Sequence, residues 1–312
     1  MQYRKLGNSG LEVSVVGLGT NNFGGRIDYE QTVKVLNQTL DEGINFIDTA
    51  NSYGKGLSEE FIGKALKKKR HDAIIATKVA SQVGEGPNQR GASRKHIMDQ
   101  IDKSLMRLQT DYIDLYQIHF PDPETPIDET LSALDDLVHA GKVRYIGSSN
   151  YAAWQLCEAV LTSQNQHLTQ FVSEQPEFSM IERKAAKELL PLCDKYNISV
   201  IPYFPLYSGL LTGKYQKGKP APEGTRLSAG PMATRFLRED YLDLVDQLQN
   251  WATEHDHSIG ELAISWLLAH RSVGSVIAGA TKPEQVIANA KASDWQLTEP
   301  EKKEVDDILE NY

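Results

Sequence analysis

Residues 112–119 read Tyr-Ile-Asp-Leu-Tyr-Gln-Ile-His, an apolar run of strand length that ends in an imidazole. Two earlier apolar runs also end in polar side chains. Asp48 and, five residues later, Tyr53 follow one of these runs, and Lys78 follows the other. The active site of a parallel α/β barrel lies at the C-terminal ends of its strands. We therefore expect these three side chains and His119 to meet in one pocket.

The remainder of the chain alternates between strand-like and helix-like segments. From the N-terminal side, the eight strand candidates are residues 15–18, 44–47, 73–77, 113–118, 143–147, 171–174, 198–201 and 273–277. The helix candidates are residues 29–41, 58–68, 93–108, 127–139, 152–161, 183–196, 241–255, 259–270, 283–292 and 298–312. This alternation predicts an α/β fold of the (β/α)8 TIM barrel type.

The alternative fold is an open, doubly wound sheet of similar length. Such a sheet often carries Gly-x-Gly-x-x-Gly at its first helix and collects its polar residues near one switch point. Here the first helix lacks that motif, and polar residues follow many strands, which favours the barrel.

Further elements are expected at both ends of the barrel sequence. Residues 3–6 and 12–14 flank a turn-forming segment and predict a β-hairpin that could close the bottom of the barrel. The last two helix candidates predict extra C-terminal helices. Because no linker or shift in composition interrupts the chain, we expect residues 1–312 to form a single domain.

The composition is that of an ordinary globular protein. Of the 312 residues, 40% are hydrophobic and 24% are charged. The formal net charge of −9 argues against nucleic acid or an anionic membrane as a partner. Two cysteines without a Cys-x-x-Cys pair predict no metal site. An N-terminus without an apolar leader, and the lack of any membrane-length apolar run, predict a cytoplasmic location.

The four strand-end side chains have complementary chemistry. Lys78 follows an apolar strand and needs a partner, because an isolated buried charge is unfavourable, and Asp48 is the obvious one. If Tyr53 lies against Lys78, the positive charge lowers the pKa of the phenol from about 10 and suits it to general acid catalysis. His119 would hydrogen-bond the same substrate oxygen. The alternatives are a purely structural Asp–Lys pair and a histidine satisfied within the core.

These motifs resemble those of the aldo-keto reductases, which are NAD(P)H-dependent carbonyl reductases built on a (β/α)8 barrel. The similar segments are residues 48–54, 76–78 and 115–119, and the resemblance covers essentially the whole chain in order. It implies a complete catalytic tetrad of Asp48, Tyr53, Lys78 and His119.

The resemblance also implies a site for NADPH. Ser149, Asn150 and Gln175 are similar to residues that hold the nicotinamide carboxamide, and Tyr203 to an aromatic residue that stacks on the nicotinamide ring. The full implied set of cofactor-binding residues is Gly19, Thr20, Asn21, Ser149, Asn150, Gln175, Tyr203, Pro205, Leu206, Ser208, Gly209, Leu211, Lys214, Gly279, Thr281, Lys282, Gln285 and Asn289.

Some of these residues are expected to bind the adenosine end of the cofactor. Their sequence is similar to the matching segment of bacterial general-stress and inositol-linked members. Residues 279–285 read Gly-Ala-Thr-Lys-Pro-Glu-Gln, and Lys282 is the only strong cation among them. A lysine binds phosphate as a point charge, without the two-pronged geometry of arginine. We expect a preference for NADPH on this basis. The alternative is that Lys282 is a solvated loop residue.

Candidate substrate contacts come from aromatic residues and long loops. Phe23, Phe120 and Tyr207 follow strands and are candidate walls of the substrate pocket, although each could instead belong to the core. Residues 79–92 and 206–240 form the two longest loops. Long loops at the catalytic face of a barrel often bind or cover ligand, and the alternative is a mobile surface insertion.

The sequence thus predicts an enzyme that uses NADPH to reduce aldehydes and ketones to alcohols, with Tyr53 as general acid and no metal. Its partner is expected to be a small-molecule carbonyl substrate. Two alternatives remain open. One is NAD(P)+-dependent oxidation of a polyol such as an inositol, and the other is a nicotinamide-binding redox-sensor subunit with slow turnover.

Overall fold

The fold is described by a computed structural model, which covers residues 1–228 and 231–312. Its strands are β1 (Tyr3–Lys5), β2 (Glu12–Ser14), β3 (Val16–Gly19), β4 (Phe46–Asp48), β5 (Ile74–Val79), β6 (Ile113–Ile118), β7 (Val143–Ser149), β8 (Phe171–Gln175), β9 (Ser199–Val200) and β10 (Val276–Gly279). Its helices are α1 (Tyr29–Asp41), α2 (Leu57–Leu66), α3 (Arg94–Leu108), α4 (Ile127–His139), α5 (Ala153–Gln166), α6 (Leu189–Tyr196), α7 (Pro231–Phe236), α8 (Glu239–Glu254), α9 (Ile259–Leu268), α10 (Pro283–Lys291) and α11 (Glu299–Glu310).

Strands β3 to β10 form one parallel sheet that curls into a barrel. From β3 to β9 each strand pairs with the next in chain order, and β10 pairs with β3. Parallel bridges join Val200 to Val273 and Tyr203 to Ile277, between the segments around β9 and β10. The predicted TIM barrel is therefore confirmed, and the alternative of an open doubly wound sheet is wrong.

The predicted N-terminal hairpin is also confirmed. β1 and β2 pair antiparallel, with Tyr3 opposite Ser14. Leu6 and Val13 are fully buried and belong to the cluster that fills the barrel, together with Phe46, Ala76, Leu115, Ile201 and Ile277. The hairpin therefore closes the N-terminal end of the barrel.

Several predicted segments have different limits in the structure. The last strand begins at Val276, three residues later than predicted, because Val276 pairs with Val16 of β3. The predicted helix over 183–196 is a single 3-10 turn at Lys184–Ala186 followed by α6. Pro191 accounts for the late start of α6, since a proline without an N–H fits only in the first turn of a helix.

Strand alternation explains why polar residues collect at one end of the barrel. Phe46, Ala76 and Leu115 face the barrel interior in β4, β5 and β6. Side chains two residues further along a strand point the same way, so Asp48, Lys78 and Gln117 occupy the next layer towards the C-terminal end. Tyr116 faces the opposite way and packs in the outer core, beneath the helices.

Gly63 permits close packing between α2 and α3. A Cβ at this position would lie 2.5 Å from both the carbonyl oxygen of Arg107 and the carbonyl carbon of Leu108. We expect Gly63→Ala to lower the free energy of unfolding by about 1–3 kcal/mol, because backbone atoms cannot rotate away.

Gly260 in α9 provides the matched control, since the nearest atom to an added Cβ is 3.8 Å away. Gly260→Ala is expected to raise the free energy of unfolding by up to about 1 kcal/mol. Chemical denaturation measures both variants, and equal effects would contradict the close contact at Gly63.

Candidate active site

The structure brings the four predicted strand-end residues together at the C-terminal end of the barrel. The ammonium nitrogen of Lys78 lies 2.6 Å from Asp48 Oδ2, 2.9 Å from the Thr49 carbonyl oxygen and 3.4 Å from the Tyr53 hydroxyl. The His119 ring lies edge-on to Tyr53, with 5.8 Å between ring centroids. A substrate group that reaches Tyr53 therefore also meets His119.

The Asp48–Lys78 pair is buried and fully hydrogen-bonded. Lys78 is 0% exposed, and Asp48 is 2% exposed. The second carboxylate oxygen of Asp48 accepts hydrogen bonds from the side-chain amides of Gln175 at 2.9 Å and Gln117 at 3.3 Å. A buried ion pair is tolerated only when both charges are well partnered, and these contacts meet that condition. They also fix the carboxylate that holds the Lys78 ammonium in one place.

Burial and the neighbouring groups act in opposite directions on the pKa values of Lys78 and Tyr53. Burial lowers the pKa of Lys78, but its electrostatic and hydrogen-bond interactions with Asp48 and Tyr53 outweigh burial and raise the pKa of the ammonium. Burial raises the pKa of the Tyr53 phenol more than Lys78 lowers it. The expected net lowering for Tyr53 is therefore wrong. The phenol stays protonated near neutral pH, as a proton donor must.

His119 is a neutral imidazole held on several sides. Burial, and to a smaller extent the charge of Lys78, lowers the pKa of His119 to about 3. Its Nδ1 lies 2.9 Å from the Ser81 hydroxyl oxygen. Phe120 stacks on the ring with 4.6 Å between centroids and 13° between planes.

A cavity of about 770 Å³ extends from Tyr53 and His119 across the end of the barrel. All but one of the predicted cofactor-binding residues line it, namely Gly19, Thr20, Asn21, Ser149, Asn150, Gln175, Tyr203, Pro205, Leu206, Ser208, Gly209, Lys214, Gly279, Thr281, Lys282, Gln285 and Asn289. The exception is Leu211, which is fully buried in the outer core.

Only one of the three predicted substrate-pocket aromatics lies where it was expected. Phe120 lines the cavity and is 50% exposed. Phe23 is fully buried in the outer core, so its assignment is wrong. Tyr207 is also buried, because its ring packs edge-on against Phe236 and Tyr241 instead of facing the cavity.

The cavity has further lining residues that were not predicted. They are Asn22, Arg26, Phe204, Thr212, Glu223, Gly224, Thr225, Arg226, Ile277 and Ala288. Residues 223–226 come from the long 206–240 loop, of which residues 229–230 lie outside the described ranges. Loop length was the available signal for 223–226, whereas nothing in the local sequence marks Arg26. In the other long loop, residues 79–92, no residue lines the cavity.

Hydrogen bonds made by Asn150 and Ser149 organise the part of the cavity near His119. Asn150 adopts a left-handed backbone conformation (φ +61°), which asparagine tolerates better than most residues. Its amide nitrogen donates to the His119 carbonyl oxygen at 2.9 Å, and its amide oxygen accepts from the Tyr203 hydroxyl at 2.9 Å. Ser149 donates to the Gln175 carbonyl oxygen at 2.7 Å. These contacts link the strand ends around one end of the cavity.

The cavity lining suits an anionic ligand, because its cations outnumber its carboxylates among the described residues. Arg26, Lys214, Arg226 and Lys282 line the cavity, against the carboxylates of Asp48 and Glu223. Ser208 also lines it, and the Ser208 hydroxyl oxygen is buried without a hydrogen-bond partner in the described ranges. Buried hydroxyls are normally partnered, so this one indicates a place for a polar ligand atom.

A buried carboxyl lies just outside the site, on β8. Glu174 contacts the Ser148 hydroxyl and accepts a hydrogen bond from the Tyr151 backbone N–H at 3.0 Å. Burial raises the pKa of Glu174 to about 8, although both hydrogen bonds act in the opposite direction. The folded protein therefore keeps a proton that the unfolded chain releases at a pKa of about 4.3.

This proton makes the stability pH-dependent. The contribution is complete below the unfolded pKa and is lost as the pH rises towards the folded pKa of about 8. We expect the free energy of unfolding to fall by a few kcal/mol over this window, because one pKa unit corresponds to about 1.4 kcal/mol. Glu174→Gln should flatten this decline in denaturation curves measured across pH. An equally steep decline in the variant would contradict a protonated Glu174.

The barrel, the four strand-end residues and the cavity beside them together define a barrel oxidoreductase. The sequence model described as "Aldo/keto reductase family" matches residues 15–310. The chain belongs to the aldo/keto reductase family.

Three curated proteins illustrate the similarity. The chain is 38% identical over 302 residues to "Probable voltage-gated potassium channel subunit beta" of Oryza sativa subsp. japonica, covering 94% of this chain and 92% of that protein. It is 36% identical over 318 residues to "Aldo-keto reductase YhdN" of Bacillus subtilis (strain 168), covering 100% and 94%. It is 36% identical over 320 residues to "Uncharacterized oxidoreductase YrpG" of the same organism, covering 99% and 96%. Within the described ranges, no helix is both long and apolar enough to cross a membrane.

Proposed function

We propose that this protein uses NADPH to reduce aldehydes and ketones to the corresponding alcohols. The observation that carries the proposal is the Tyr53 hydroxyl, 3.4 Å from the buried Lys78 ammonium and beside the neutral His119 ring. This arrangement offers a proton donor and a hydrogen-bond donor to one carbonyl oxygen.

The cavity residues fit a nicotinamide dinucleotide phosphate. Ser149, Asn150 and Gln175 would hold the carboxamide, and Tyr203 would provide a flat surface for the ring. The cations and the unpartnered Ser208 hydroxyl would hold the phosphate groups. When bound, the reduced cofactor supplies a hydride for the carbonyl carbon. The sequence of residues 279–285 supports grouping this protein with the bacterial general-stress and inositol-linked members of the family.

Each of the four residues has a separate role in protonating the carbonyl oxygen. Tyr53 donates its proton to the carbonyl oxygen as that oxygen gains negative charge. Lys78 stabilises the resulting phenolate, and Asp48 holds Lys78 in position through the 2.6 Å contact. His119 orients the carbonyl oxygen by a hydrogen bond from its ring. Interactions that strengthen as charge develops lower the barrier more than they tighten substrate binding.

A second candidate function is a nicotinamide-binding subunit with slow turnover. It is supported by the rice relative, which is named a probable voltage-gated potassium channel subunit beta. The presence of Tyr53, Lys78, Asp48 and His119 in contact favours the enzyme.

The test is to follow the absorbance of NADPH and of NADH with purified protein and a panel of aldehydes and ketones. Many turnovers with NADPH, and fewer with NADH, are expected. Tight NADPH binding with less than one turnover per site over the assay would overturn the reductase and favour the subunit. Faster oxidation of polyols by NADP+ than reduction of any carbonyl compound would instead show that the physiological direction is oxidative.

A further inference from the structure

Ser81 contacts His119 on the side of the ring that faces away from the cavity. The hydroxyl oxygen of Ser81 lies 2.9 Å from His119 Nδ1. Ser81 itself does not line the cavity, whereas His119 does. Within the described ranges, no side chain or backbone group hydrogen-bonds the other ring nitrogen, Nε2. The two nitrogens of His119 therefore have different surroundings.

Other histidines in the chain show why a hydroxyl at Nδ1 matters. Four of them place Nδ1 against a backbone carbonyl oxygen, namely His96, His139, His255 and His270. A carbonyl oxygen only accepts, so Nδ1 must carry the proton in those rings. A serine hydroxyl can donate. At His119 the proton of the neutral ring is therefore free to reside on Nε2.

The position of Ser81 is set by the backbone on either side of it. Ala80 has φ +89°, a conformation that alanine rarely adopts. The Ala80 carbonyl oxygen accepts a hydrogen bond from the Gly91 N–H at 2.9 Å, and the His119 N–H donates to the Val79 carbonyl oxygen at 2.8 Å. Since unusual backbone conformations persist only where the surroundings impose them, Ser81 and His119 are held in fixed relation.

We propose that Ser81 is a positioning residue, whose hydroxyl donates to His119 Nδ1 and so places the single ring N–H on Nε2, facing the cavity. A substrate carbonyl oxygen can accept a hydrogen bond from an N–H at Nε2. The ring therefore selects substrates that place a hydrogen-bond acceptor beside this atom. The catalytic consequence rests on the proposed reductase function, but the tautomer itself does not. The Phe120 ring stacks on the imidazole, and the Tyr53 ring lies edge-on to it.

The tautomer is measured directly by 15N nuclear magnetic resonance on protein labelled at histidine, near neutral pH and without added ligand. His119→Asn identifies the His119 signals, and His270 is the internal reference for a proton on Nδ1, since its Nδ1 lies 2.9 Å from the Trp266 carbonyl oxygen. The expected result is a proton on Nε2 of His119 in the wild type and in Ser81→Thr. In Ser81→Ala the signals should shift towards a mixture of tautomers. A proton on Nδ1 in the wild type, or an unchanged spectrum in Ser81→Ala, would overturn the proposal.

Kinetics on the same variants test the consequence for catalysis. Ser81→Ala should lower kcat by about five- to tenfold, as expected for the loss of one hydrogen bond, and leave the Kd for NADPH unchanged. Ser81→Thr should restore kcat. If the wild type reduced no carbonyl compound, the reductase proposal would fail, while the spectra would still decide whether Ser81 sets the tautomer.

Discussion

Tyr53→Phe is expected to lower kcat by about 10²–10⁴-fold and to leave the Kd for NADPH unchanged. The substitution removes the hydroxyl that would give a proton to the carbonyl oxygen. The phenyl ring is retained, so the edge-on contact with His119 persists. An interaction made mainly in the transition state affects turnover far more than ligand binding.

Tyr116→Phe is the matched control for this substitution. Tyr116 is fully buried beneath the helices, and its hydroxyl has no hydrogen-bond partner within the described ranges. It should therefore keep full activity. Steady-state rates with one aldehyde, together with fluorescence titration of NADPH, measure both variants. A Tyr53→Phe protein that retained most of its kcat would remove Tyr53 from the mechanism.

Lys78→Met is expected to cost both activity and stability. Methionine leaves the buried Asp48 carboxylate without its cation, and breaking a buried pair in this way costs about 3–5 kcal/mol of unfolding free energy. The same change removes the charge that stabilises the Tyr53 phenolate, so kcat should fall by at least about 10²-fold. Chemical denaturation and steady-state kinetics measure the two effects.

The double variant Asp48→Asn with Lys78→Met separates the two effects. Asparagine is neutral and can still accept the hydrogen bonds that Gln117 and Gln175 donate at this position. We therefore expect most of the lost stability to return, because replacing both charges avoids an unpaired buried ion. Activity should stay low. Recovery of activity along with stability would mean that Lys78 has only a structural role.

The fold was predictable from sequence wherever local signals were strong. Helices α1 and α4 have the limits that apolar periodicity predicts, residues 29–41 and 127–139. The start of strand β10 was predicted three residues too early. The run Val-Gly-Ser-Val-Ile at residues 273–277 is apolar or small throughout, and only pairing with β3 fixes where the strand begins. Such pairing joins residues far apart in the chain, so a local pattern does not specify it.

Some features of the candidate site were likewise predictable from sequence, and others were not. The approach of Asp48, Tyr53, Lys78 and His119 follows from their shared location at strand ends, which the sequence reveals. Their pKa values do not follow, because the burial that raises the pKa of Tyr53 depends on the packing around it. In the same way, Tyr207 was assigned to the pocket, but contacts with Phe236 and Tyr241 place it in the core.

The hairpin of β1 and β2 places stability and chemistry at opposite ends of the barrel. Leu6 and Val13 fill the closed end, while the cavity lies at the other end, beside Asp48, and, of the residues that the structure describes, shares only Ile277 with the cluster under the hairpin. Laboratory evolution of this protein can therefore work on two separate regions. Libraries beneath the hairpin should change heat tolerance at constant substrate range, and libraries around Phe120 should change substrate range at constant heat tolerance.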